Sequence, residues 1–151
     1  MIVVRTLTAD DWREWRELRL EALREAPYAF HSRFEDWAGV DERRWRQRLD
    51  EVPLNILADL DGKPAGMACG TAPDPDGTSD LLSVWVAPFA RGRGVGDTLV
   101  ASVVGWAREQ GAVRVRLAVF ESNHNASVLY RRQGFVDTML LGEELAMERE
   151  F

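Results

Sequence analysis

Apolar positions recur along the chain with two periods. Val113, Val115, Leu117 and Val119 alternate with Arg114, Arg116 and Ala118, the period of two that turns one face of a strand toward a core. Val95, Leu99, Val103 and Trp106 return at helical spacing instead, so a helix is expected over 94–110, ended by Gly111. Trp12, Trp15, Arg19, Ala22 and Leu23 also fall on one helical face, with the arginine interrupting an otherwise apolar stripe. That helix starts at Thr8, whose spacing to Asp11 resembles a capping box, and Pro27 ends it. A first strand precedes it at Ile2 to Leu7, and a second helix of strong helix formers runs from Asp41 to Leu49. Between the two helices, Tyr28 to Ala38 reads as an irregular, aromatic-rich stretch with Phe30, Phe34 and Trp37.

Strands at Asn55 to Leu60 and Lys63 to Thr71 flank Asp61-Gly62, a hairpin turn signal. After the Pro73–Gly77 loop comes an apolar strand, Leu81 to Val86, closed by Pro88. A short helix from Ala126 to Gln133 stops at Gly134, and two last strands are expected at Phe135 to Leu141 and Glu144 to Glu150. Read in order, these elements predict one mixed α/β domain over 1–151, with no repeat or linker.

Composition narrows the function. The formal net charge of −6 disfavours broad nucleic-acid binding and is compatible with a basic acceptor such as an amine. Cys69, the only cysteine, lies in an apolar strand, so packing is its expected role, and a disulfide or cysteine-rich zinc site is excluded. The two histidines, His31 and His124, are too isolated to suggest a metal site. No run of about 18 apolar residues is present, and Met1–Arg5 lacks the design of a signal peptide, so a cytoplasmic protein without a membrane span is expected.

The segment Arg91-Gly92-Arg93-Gly94-Val95-Gly96 joins a strand to an amphipathic helix. A helix start leaves backbone N–H groups without partners, and the helix dipole adds positive character there. Glycines let such a turn approach a ligand closely, which makes an anion site suited to phosphates. A Walker A loop is ruled out because Gly96 is followed by Asp97-Thr98 rather than Lys-Ser/Thr. A dinucleotide fingerprint from Gly92 fails because Asp97 stands where the third glycine belongs.

Arg91-x-x-Gly94-x-Gly96, preceded by Val84-Trp85-Val86-Ala87-Pro88, resembles the cofactor signature of the GNAT superfamily of acetyl-CoA-dependent N-acetyltransferases. About 30 residues downstream, Asn123-x-x-Ala126-x-x-Leu129-Tyr130 and Gly134-Phe135 are similar to that family's second motif, in the family's order. The resemblance implies a central, mostly antiparallel mixed sheet of about six or seven strands with about four helices. It implies that the strands holding Val84–Val86 and Leu117–Val119 splay apart to admit acetyl-CoA. Backbone groups near Val84 and Val86 would pair with the pantetheine arm, and an N–H near Trp85 or Val86 would polarise the thioester carbonyl.

By the same resemblance, Arg91, Gly92, Arg93, Gly94, Val95, Gly96 and Asp97 form the pyrophosphate turn, with the Asp97 side chain expected to point away from the phosphates. Asn123 either caps its helix or bonds the pantetheine arm. Ala126 leaves room for the ligand, and Arg131 or Arg132 meets the 3′-phosphate unless both are solvated. Tyr130 is the implied general acid for the departing sulfur. Glu121 is a candidate general base, with a water chain as the alternative. Tyr28, Phe30, Phe34 and Trp85 are the candidate acceptor-binding residues. The acceptor is expected to be a small-molecule amine or a peptide or protein amine, with no metal. A homodimer is left open, the final strands supplying its edge. The competing readings are a non-catalytic acyl-CoA-binding module, which would not need Tyr130, and a transferase of longer acyl groups.

Overall fold

A computed structural model describes residues 1–151. Seven strands form one sheet in the order β1-β2-β3-β4-β5-β7-β6. They are β1 Ile2–Thr6, β2 Leu54–Leu60, β3 Lys63–Gly70, β4 Thr78–Val86, β5 Arg114–Phe120, β6 Val136–Leu141 and β7 Glu144–Glu150. Only β4 and β5 run parallel; every other neighbouring pair is antiparallel. The helices are α1 Trp12–Glu25, α2 Phe34–Ala38, α3 Glu42–Glu51, α4 Val95–Glu109 and α5 His124–Arg132. This is the mostly antiparallel mixed sheet expected from the motifs.

β2 and β3 are buried on both faces along most of their length, and their alternation sorts side chains between two cores. From β2, Ile56 and Ala58 join a cluster with Val95, Leu99 and Val103 of α4. Leu57, with Met67 and Cys69 of β3, points to the opposite face and packs with Trp15 of α1 and Trp45 of α3. Cys69 is therefore a buried packing residue, as its strand context predicted. Trp15 and Trp45 have no exposed surface; burial of an aromatic of this size contributes roughly 1.5–3 kcal/mol, and these two fix α1 and α3 over the sheet.

Thr8 and Asp11 do form the capping box, with the Thr8 N–H donating to Asp11 at 2.8 Å, although a 3₁₀ turn at Ala9–Asp11 intervenes before α1. The stretch expected to be irregular contains α2 and a helical turn at Pro27–Ala29. Tertiary contacts stabilise so short a helix: the Arg24 guanidinium lies 4.6 Å from the Phe34 ring, and Trp37 stacks on Trp45 at 5.0 Å. β4 begins at Thr78 rather than Leu81, because Arg114 donates to the Thr78 hydroxyl at 2.9 Å and Arg116 to Asp80 at 3.0 Å. Those partners come from β5, so the apolar pattern of β4 alone does not show them.

Candidate active site

The site forms where the one parallel pair comes apart. β4 and β5 are hydrogen-bonded only at Thr78↔Arg114, Ser79↔Val115 and Asp80↔Arg116. Past that point β4 is irregular against β3, its register shifting between Met67 and Cys69. Ser83 sits there with φ +56°, a left-handed conformation that a non-glycine residue seldom adopts. A bulge of this kind bends its strand and increases its twist. The opening between β4 and β5 is occupied by two adjoining cavities, one on each side of Val84.

The first, of about 550 Å³, is a groove running to the start of α4. Gly94 precedes that helix with φ +88°, in the region that glycine enters without strain. The first intrahelical bond is donated by Thr98 to Gly94 at 3.1 Å, and no side chain caps the helix. The N–H groups of Val95, Gly96 and Asp97 therefore have no acceptor within the helix. Gly96 sits in a tight place for a different reason: a Cβ there would lie 3.0 Å from Cδ2 of Leu129, where α5 crosses close to α4, so the leucine would have to shift.

The arginines of the turn are not free. Arg91 donates through Nε to the Val86 carbonyl at 3.1 Å and pairs with Glu25, which also accepts from the Trp85 indole at 3.1 Å. Arg91 thus ties the turn to the end of β4 and to α1. Arg93 is exposed, 3.8 Å from Asp61, and does not line the groove. Asp97 does line it, held by two bonds of 2.9 Å from Arg132 and one of 2.9 Å from Gln133. Arg132, donating these bonds, holds the Asp97 carboxyl below its ordinary range. Arg131 is paired with Asp137 at 3.0 Å. Each acid and base at this end of the groove is therefore matched, and the unpaired polar groups are main-chain amides.

Tyr130, Asn123, Ala126, Ala29 and Val84 line both cavities and mark their junction. The Tyr130 side chain is buried, its ring edge-on to Phe135 at 6.1 Å, and its hydroxyl has no hydrogen-bond partner in the protein. Burial raises its pKa well above the ordinary phenol range, so it keeps its proton. The Asn123 side chain caps α5, accepting from the Ala126 N–H at 3.4 Å.

The second cavity, of about 360 Å³, opens on the other side, beneath α1, α2 and α3. Phe30 lines it with Trp15, Trp37 and Trp45. Tyr28 and Trp85 lie along the first groove instead, and Phe34 lines neither cavity. Glu121 is exposed in the turn after β5, where its N–H donates to the Glu143 carbonyl at 2.8 Å, and it too lines neither. The structure adds residues that sequence reasoning had not assigned: Ser83, Arg19, Arg48 and His31 all line the second cavity. His31 stacks on Phe120 at 5.1 Å, and its Nε2 pairs with Glu144. Only Arg19 left a trace in the sequence, as the charged residue within an apolar helical stripe.

Comparison with known proteins shows the family and the fold. Residues 9–135 match the family described as Acetyltransferase (GNAT) family. The chain is 28% identical over 137 residues to an uncharacterized N-acetyltransferase of Methanocaldococcus jannaschii, covering 87% of this chain and 59% of that protein. It is 36% identical over 117 residues to a streptothricin acetyltransferase of Streptomyces lavendulae, covering 76% and 62%. The chain spans between 34% and 62% of the length of the curated relatives it matches. Its fold is shared with the paia N-acetyltransferase of Thermoplasma acidophilum, solved in complex with coenzyme A, at a TM-score of 0.81 and 19% identity, covering 100% of this chain and 99% of that one.

Proposed function

The chain belongs to the acetyltransferase (GNAT) family, and we propose that it transfers the acetyl group of acetyl-CoA to an amine bound at the same time in the second cavity. One observation carries this reading: an uncapped helix start opening into a groove that meets a second, aromatic-walled cavity at a buried phenol. A diphosphate fits the start of α4, where the free amides of Val95, Gly96 and Asp97 supply donors and the dipole supplies sign. The neighbouring side chains have already neutralised one another and add no repulsion. Acetyl-CoA, when bound, supplies an activated acetyl thioester.

Val84 and Val86 border the groove on a strand edge that β5 no longer pairs, which leaves main-chain groups for an added, strand-like ligand. A main-chain N–H near Trp85 or Val86 polarises the acyl carbonyl. Ala126 keeps the junction open. Tyr130 protonates the leaving sulfur as the amine attacks, and its raised pKa keeps the proton in place at neutral pH. Apart from Tyr130, His31 is the only side chain lining the acceptor cavity of a type that commonly carries protons in catalysis, so we assign the removal of the amine's proton to it. Phe30 forms part of the acceptor wall.

Thiol release from acetyl-CoA over a panel of amines tests the proposal. Amine-dependent release, with stabilisation of the protein against heat by CoA, is expected. CoA binding without release for any amine would favour the non-catalytic acyl-CoA-binding reading. No binding at near-physiological salt would refute both.

A further inference from the structure

Resting on the acetyltransferase reading, we infer that the acceptor carries a carboxylate as well as its amine, and that Arg19 and Arg48 bind that carboxylate. Both arginines line the acceptor cavity, from α1 and α3, and no aspartate or glutamate lines it with them. Other guanidiniums are matched with acids, Arg5 to Asp59 at 2.7 Å and Arg116 to Asp80 at 3.0 Å. Arg19 forms no ion pair, and its Nη1 is fully buried without a hydrogen-bond acceptor. Its guanidinium instead lies 4.6 Å from the Phe30 ring. Arg48 has only neutral partners, the Asn55 side-chain oxygen at 3.1 Å and the Cys69 sulfur at 3.5 Å. Asn55 is itself fixed, donating to the Leu49 and Val52 carbonyls at 3.0 and 2.9 Å.

Two like charges are thus held beside one another with neither compensated, an arrangement that burial makes costly. Arg19 shows the cost: burial, with a further contribution from Arg48, lowers its pKa to about 10, which leaves it cationic at neutral pH. The indole N–H groups of Trp15 and Trp45, on residues of the same wall, are also buried without acceptors. The unmatched polar groups of this wall are therefore donors, and the missing partner is an acceptor with negative charge. A carboxylate accepts from two guanidiniums at once, and the planar fork of arginine suits it. A cavity of about 360 Å³ with aromatic walls admits a molecule of amino-acid to dipeptide size. The phosphates of CoA are not this anion, because neither arginine lines the groove that ends at α4.

The test compares matched acceptors, free amino acids and dipeptides against their C-terminal amides and the corresponding decarboxylated amines, by thiol release and by calorimetry with CoA present. We expect kcat/KM to favour the carboxylates by roughly 10- to 100-fold, the range for a hydrogen bond to a charged group. Arg19→Gln and Arg48→Gln should each erase most of that preference while leaving the Kd for CoA unchanged, and Arg19→Lys should keep part of it. Calorimetry reads the anion site without turnover, so it remains informative if the proposed reaction is wrong. Equal use of amides and carboxylates by the wild type would overturn the inference and leave the acetyltransferase reading standing. A preference that survives in both glutamine variants would overturn the assignment to these arginines. The wild-type panel decides the first point even where a variant fails to fold.

Discussion

Replacing Tyr130 by phenylalanine should separate turnover from stability. The hydroxyl has no partner in the protein, and the ring fills a packed site beside Phe135 that phenylalanine fills equally. Removal of a hydroxyl that bonds no protein group loses no intramolecular hydrogen bond, and any desolvation cost relieved lies within about 1–3 kcal/mol. Because this hydroxyl borders two cavities, most of that cost is relieved by solvent, and the variant is expected within about 1 kcal/mol of wild type, a Tm shift of about 2–4 °C at most. Turnover should behave differently. General acid catalysis is worth roughly 10²–10⁴-fold, and a thiolate needs the lower end, so kcat should fall about 100-fold, or about 2.7 kcal/mol in the barrier. The Kd for CoA should not change. Stopped-time thiol release and a thermal melt on the same preparation read both effects. A kcat within about threefold of wild type would remove Tyr130 from the acid role, whereas a large loss of Tm would mean that the residue is chiefly structural. Alkaline pH supplies an independent check. The folded state keeps the Tyr130 proton at pH values where the unfolded chain, near the usual 10, has released it. Stability from this group is thus complete below about pH 10 and declines as pH rises beyond it. Tyr130→Phe should show a shallower alkaline decline in Tm than wild type.

Four further outcomes are expected. His31→Gln should lower kcat about 100-fold or more while Glu121→Gln leaves it within about threefold, read by thiol release; the reverse result would move the base to the end of β5. Gly94→Ala places a side chain at φ +88°, which costs roughly 1–2 kcal/mol in a thermal melt and weakens CoA binding measured by calorimetry. Arg132→Gln exposes the Asp97 carboxylate at the groove and should raise the Kd for CoA about 2- to 5-fold, an effect lost in the Asp97→Asn, Arg132→Gln double variant. Asn55→Ala leaves two carbonyls of the α3 terminus unpaired and should cost about 2–4 kcal/mol in urea unfolding, because the residue is 1% exposed.

What could be read from the sequence was local. The turn at 91–96 announces itself because each of its requirements, a left-handed φ at Gly94, a close approach at Gly96 and a helix start, is met by neighbouring residues. The period-two strand and the Asp61-Gly62 hairpin are legible for the same reason. Arg91 was expected to offer its charge to phosphate. Its partner Glu25 stands 66 residues earlier, at the end of a helix on the other face of the sheet, and no pattern in the chain joins the two. The acceptor wall is harder still, since α1, α2, α3, β4 and β5 each contribute to it. Among the aromatics at 28–37, only packing decides that Phe30 faces the cavity, Tyr28 the groove and Phe34 neither. The bulge at Ser83 has no sequence signal, because the residue is an ordinary serine in an apolar strand.

Net charge is the property most apt to mislead about the acceptor. The chain carries −6 overall, a field that attracts cations from solution. An acceptor bound in the second cavity would meet a different environment: two guanidiniums, no carboxylate and walls of low polarity. Coulomb energy falls with distance and is screened over about 10 Å of salt solution, so groups within the cavity outweigh acids spread over the surface. The same two cations that would hold a carboxylate also disfavour an ammonium ion nearby, which lowers the pKa of the bound amine. Attack on a thioester requires the neutral amine. An amino carboxylate bound here would therefore be anchored at one end and eased toward its reactive form at the other, whereas an amine lacking the carboxylate would meet the repulsion without the anchor.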